Sequence, residues 1–165
     1  NQQTFCLAIG SSVMATPEKD AFELAADYIS YKLGSSNEPI SDNAALVRKL
    51  ANEIEGEHET LLAAMCERLD IEEATAAETF KRVADEIFAD GINWGRIVVL
   101  YTFGGRVATF CNKHHLKQSE EVIGWIGEYV SGMLDWIRKA GGWKNFQEYF
   151  EGAEYEARQY FQAYQ

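Results

Sequence analysis

The sequence predicts an all-α fold in which amphipathic helices wrap one or two central apolar helices. Apolar residues recur three and four positions apart through most of the chain, the period of a helix with one buried face. One stretch, Ile97 to Cys111, has almost no polar side, which marks a helix buried all round. No alternating strand pattern, internal repeat or low-complexity tract interrupts this reading.

The first helix opens at Thr16-Pro17-Glu18, a cap followed by a first-turn proline and a first-turn acid. Phe22, Ala25, Ala26, Ile29 and Leu33 form its apolar stripe, and Gly34 stops it before a polar loop to Pro39. Ser41 or Asp42 opens a second helix with Leu46, Val47, Leu50, Ile54, Leu61, Leu62, Met65 and Leu69 on one face. That stripe is long for one helix, and Gly56 is the expected bend. Thr75-Ala76-Ala77-Glu78 has capping-box spacing ahead of Phe80, Val83, Ala84, Ile87 and Phe88. Asp90-Gly91 ends this helix and Asn93 caps the next, the apolar one. Its β-branched residues would also suit a buried strand, but its length and its helical neighbours favour a helix. Ser119-Glu120-Glu121 starts another, carrying Val122, Ile123, Trp125, Ile126, Tyr129, Val130, Met133 and Leu134. Short pieces follow at Trp136-Ile137 and Trp143 to Phe150, hinged by Gly141-Gly142.

A chain of 165 residues fits one domain whose core needs neither disulfide nor metal. Its net charge of -11 argues against nucleic acid as a partner, because phosphate binding needs clustered Lys and Arg. An acidic surface suits a basic partner instead. Cys6, Cys66 and Cys111 are widely spaced with no CxxC pair, so free, largely buried thiols in a reducing compartment are expected. His114-His115 reads as a solvated loop end, since neighbours on a helix do not share a face. GxSxG, HExxH and P-loop motifs are absent, so no catalytic, cofactor or metal site is expected. No apolar run reaches the roughly 18 residues of a membrane span. Phe5 to Met14 is too short and lacks the basic flank of a secretory signal. Numbering starts at Asn1 rather than a methionine, and trimmed ends are expected.

Four segments resemble the four homology motifs of the Bcl-2 family. Asn93-Trp94-Gly95-Arg96-Ile97-Val98, continuing to Phe103-Gly104-Gly105, resembles the first almost letter for letter. Trp136-Ile137 with Gly141-Gly142-Trp143 and Phe146 resembles the second. Val47 to Ile54 resembles the third, the BH3 motif, and Leu24 to Leu33 the fourth. The resemblance spans roughly residues 20 to 150, and His58-Glu59-Thr60 with Leu69-Asp70-Ile71 is similar to the myeloid-cell-leukaemia branch. The third motif departs from the family pattern at Val47, Ala51 and Asn52, which stand in place of leucine, glycine and aspartate. This weakens the segment as a ligand without weakening the chain as a receptor.

The resemblance implies a single Bcl-2-like domain over residues 1–165, a helical bundle around a central hydrophobic helix or hairpin. Residues 1–16 then read as a flexible N-terminal extension, and the C-terminal membrane anchor common in the family is not present by Gln165. It implies a surface groove that receives the BH3 helix of a pro-apoptotic relative, the helix-in-groove mode. By position, Ile54, His58, Leu61, Leu62 and Met65 line one wall, and Val83, Glu86 and Ile87 the other. Val99 and Phe103 form the floor, Phe150 stands near one end, and Asn93, Gly95 and Arg96 supply the polar corner. Arg96 is the expected partner of an aspartate on the incoming helix, against a structural pairing with Glu86 or Asp90. Gly95 lets that helix approach closely. Trp94, Trp136 and Trp143 are expected in the core, and Gly104-Gly105 at a close helix contact. The implied activity is pro-survival sequestration at the mitochondrial outer membrane and in the cytosol, including heterodimers with Bax/Bak-like proteins. Membrane association would come only through the anchor. The alternative is a Bax/Bak-like executioner that permeabilises membranes.

Overall fold

The computed structural model describes residues 16–153, with side chains described through Phe150. Residues 1–15, most of the expected N-terminal extension, and Cys6 lie outside the described residues. Seven α-helices and two 3-10 turns make up the described part, in the order α1 (Pro17–Lys32), α2 (Asp42–Arg68), α3 (Ala76–Ile87) and α4 (Trp94–Lys113), then α5 (Val122–Ser131), α6 (Leu134–Lys139) and α7 (Phe146–Ala153). The 3-10 turns, Lys117–Ser119 and Trp143–Asn145, precede α5 and α7.

Helix α4 is the axis of the bundle, and α1, α2, α3 and α5 all pack against it. Its sequence explains this, because Ile97 through Leu100, Tyr101, Phe103, Val107 and Cys111 are sealed from solvent around its whole circumference. Helix α1 fills the space between α4 and α5, and Tyr101 Oη donates to the Ala21 carbonyl at 2.9 Å to join it to the axis. Trp94, Trp143, Phe146 and Phe150 form an aromatic cluster with centroid spacings of 5.0–5.6 Å that pins α7 to the start of α4. Trp94 and Trp143 are core, as expected, whereas Trp136 is only partly buried against Trp94.

Caps set three of the helix starts. Thr16 accepts from Lys19 N at 3.3 Å, Ser41 from Ala44 N at 3.1 Å and Asn93 from Arg96 N at 2.8 Å. Thr75 differs from expectation, since it precedes α3 with αR dihedrals and its side chain makes no cap bond. Burying the apolar face of α3 therefore supports its start in place of a capping box. The bend in α2 also lies elsewhere than predicted. Gly56 stays helical, and the break comes at His58, with φ -128° and ψ 26°. Gly141 and Gly142, at φ 97° and 76°, make the expected hinge before α7.

Close packing explains the glycine pair of α4. A Cβ on Gly104 would stand 2.6 Å from Ile126 Cδ1, and one on Gly105 2.7 Å from Tyr28 Cε2. Tyr28 is fully buried and donates to Glu55 at 3.3 Å, so its ring has nowhere to move. Gly105→Val should lower unfolding free energy by about 2–3 kcal/mol through overpacking. Urea denaturation would register this as a lower midpoint with an unchanged slope.

Candidate functional site

Arg96 sits in the first turn of α4, where the helix dipole disfavours a cation. Its backbone N–H is held by the Asn93 cap, and its Nη1 donates to the Gly91 carbonyl at 2.7 Å. Gly91 reaches that position with φ 120°. Among the described residues no acid lies within ion-pair distance of Arg96. Glu86 and Asp90, the intramolecular partners weighed above, are both exposed and unpaired with it. A guanidinium carries five N–H donors, and here one is committed to a backbone oxygen. Arg96 is thus partly exposed, tethered and, among the described residues, free of carboxylate.

The apolar residues expected to line the groove belong to one continuous core cluster. Ile54, Leu62, Val83, Ile87, Val99, Phe103 and Phe150 are each no more than 4% exposed, and Gly95 is buried. Leu61 and Met65 pack partly buried against the same cluster, Asn93 is partly buried, and Glu86 is exposed. These positions meet along α4, which packs against both α2 and α3, while α7 packs against α2. His58, expected on the same wall, is 5% exposed and lies at the kink of α2. That kink puts Ile54 on one half of the helix and Leu61, Leu62 and Met65 on the other.

A second feature escaped the sequence reading. Arg48, Asn52, Glu55 and Glu59 follow one another at helical spacing on α2, and all four are engaged. Arg48 grips Asp27 with Nε and Nη2, both at 2.9 Å, and lies 4.6 Å above the Tyr31 ring. Asn52 Nδ2 donates to Tyr31 Oη at 2.8 Å. Glu55, 8% exposed, takes Lys32 at 2.7 Å, Tyr28 Oη at 3.3 Å and Arg106 at 3.4 Å. Glu59 meets Arg106 at 3.0 Å. The polar face of the third motif is thus fastened to α1 and α4, while Val47, Leu50, Ala51 and Ile54 fill the core. Its i, i+4, i+7, i+11 spacing was visible in the sequence, but a charged stripe there looks like a solvated face.

Other chemistry is thin. Cys66 and Cys111 are buried free thiols, and desolvation pushes Cys66 up to about 11. A thiol so raised is a poor nucleophile at neutral pH. Among the described residues no group of three or more His, Cys, Asp or Glu could hold a metal ion. No described helix is long and apolar enough to cross a membrane.

Residues 47–143 match the family described as apoptosis regulator proteins, Bcl-2 family. Human Bcl-2-like protein 1 is 31% identical over 123 residues, covering 73% of this chain and 53% of the relative. The chain therefore spans about half the length of the curated relatives it matches. Among solved structures, the zebrafish pro-survival protein NRZ in complex with Bad BH3 is 32% identical, with TM-score 0.75 over 81% of this chain and 93% of that one. Trichoplax adhaerens trBcl-2L2 bound to trBak BH3 is 31% identical, with TM-score 0.73 over 79% and 96%.

Proposed function

Because the chain belongs to the Bcl-2 family of apoptosis regulators, we propose that it is a non-enzymatic pro-survival member that sequesters the BH3 helices of pro-apoptotic relatives, Bax/Bak-like proteins among them. The observation that carries this is Arg96, a cation with no acid beside it among the described residues, at the mouth of the central helix by the Asn93 cap and the buried Gly95. A BH3 helix brings an aspartate and a row of apolar residues, and Arg96 with the apolar cluster beside it is the complement to both. The apolar row packs against Ile54, Leu62, Val83, Ile87, Val99 and Phe103, which belong to one core cluster. The kink at His58 gives the second half of α2 a hinge about which to move aside.

The stripe of Arg48, Asn52, Glu55 and Glu59 favours protection over execution. An executioner must free its own BH3 helix, and here both faces of that helix are held, one by core packing and one by charged bonds to α1 and α4. The proposed setting is the mitochondrial outer membrane and cytosol, where such partners would act. Dye release from liposomes of mitochondrial lipid composition, driven by an activated Bax-type protein, tests the reading. The chain should suppress release in a dose-dependent way, with loss of suppression when excess Bad BH3 peptide is added. Release caused by the chain itself on adding peptide would reverse the assignment.

A further inference from the structure

Between α3 and α5 lies a groove of about 720 Å³ that shares no lining residue with the BH3 site. Phe80 and Met133 are its buried floor, and Phe88, Ile92, Trp125 and Tyr129 stand partly exposed along its sides. Its aromatic walls are ordered. Phe80 and Trp125 have centroids 5.9 Å apart, Phe88 stacks on Tyr129 at 5.7 Å, and Tyr129 Oη donates to Asp85 at 2.8 Å.

The rim is acidic. Glu78 and Glu128 line it and are exposed, and Asp85 stands behind Tyr129. Lys81 is the one cation of the described lining. It follows Glu78 by three residues and precedes Asp85 by four, so its charge is offset on its own helix face. Aromatic faces attract cations within about 6 Å of a ring centroid. Carboxylates at the mouth add the same preference, and about 300–1,000 Å³ is the range of small-ligand pockets.

The geometry points to a second binding site on this chain, one for a small organic cation with an aromatic or branched-alkyl body and a single ammonium group. The body fills the space over Phe80 and Met133, the ammonium lies toward Trp125 and Tyr129, and Glu78 and Glu128 balance its charge. This site does not depend on the pro-survival reading, because none of its lining residues belongs to the BH3 site, although Phe80 stacks on Phe103 at 5.9 Å.

Two-dimensional NMR of the whole chain tests it, with 4-phenylbutyl-trimethylammonium as the probe and 5-phenylpentanoate as an anion of similar shape. The cation should shift the Trp125 indole and the Phe88 and Tyr129 ring signals saturably, and the anion should not. Glu78→Gln with Glu128→Gln should weaken the cation about fivefold, the scale of two screened surface charges. Both side chains are exposed and make no ion pair among the described residues, so the double variant keeps its fold. Equal binding of the anion, shifts centred elsewhere, or unchanged affinity in the double variant would each overturn the site. So would a Bad BH3 peptide that takes the cation's place against these rings, since the groove would then belong to a helix.

Discussion

Arg96→Glu should abolish tight capture of a BH3 peptide while leaving the fold equally stable or slightly more so. The two halves of this expectation have opposite signs and separate causes. In the folded chain Arg96 loses little by replacement, since its side chain has one bond, to the Gly91 carbonyl. A glutamate in the first turn of α4 also gains from the helix dipole, by about 0.3–1 kcal/mol. In the complex the change removes a charge-assisted bond and faces the ligand aspartate with a like charge. Truncating one side of such a pair already loses about 2–5 kcal/mol, so the dissociation constant should rise more than about 100-fold. Titration calorimetry with Bad BH3 peptide gives the affinity, and a thermal melt gives the stability. A peptide whose aspartate is exchanged for lysine should recover part of the loss. Unchanged affinity with a raised melting temperature would remove Arg96 from the mechanism.

Burial of the expected groove residues has a consequence for affinity. If only a fraction of molecules hold the cleft open, the apparent dissociation constant rises by the inverse of that fraction. Ile54, Val83, Ile87, Val99 and Phe103, the side chains proposed to meet the ligand, are already buried in the free chain. Opening and binding therefore exchange one set of apolar contacts for another, and the net gain comes from the ligand's extra surface and from Arg96. On this view the charged corner contributes more to choosing the ligand than the apolar walls do, because the walls are satisfied either way.

The helical architecture was legible because its signals are local. Pro17, Asn93 and Gly141-Gly142 sit where cap and hinge chemistry requires them, and the apolar run of α4 has no other stable home than the centre of a bundle. Two local signals misled. Glycine at 56 is only a weak helix breaker, and α2 bends instead at His58, whose side chain is buried. Thr75 had the right partner spacing for a capping box, but spacing cannot supply the extended backbone a cap needs. The groove residues were named by position, and position says which side chains share a wall without saying how deeply each is buried. The Arg48 stripe was illegible for a different reason. A charge three or four residues from another looks the same whether it faces water or Asp27, 21 residues away in sequence.

Asp27→Ala should destabilise the fold by about 3–5 kcal/mol, the range for removing one partner of a buried ion pair. The Asp27 side chain is 3% exposed and that of Arg48 12%. The carboxylate accepts two bonds from Arg48 and a third from Ile40 N at 3.2 Å. Its loss strands the Ile40 N–H and leaves Arg48 with the Asn37 carbonyl at 3.1 Å and the Tyr31 ring. For a chain of this size the melting temperature should fall by about 6–20 °C. The comparison that isolates the cause is the double replacement Asp27→Leu with Arg48→Met, which removes both charges and keeps the volume. Such exchanges are often neutral or stabilising, so the double variant should recover most of the single variant's loss. If the double variant is as unstable as Asp27→Ala alone, the loss comes from the Ile40 N–H and the packing of α1, and the stripe on α2 is not the latch that keeps the BH3 helix in place.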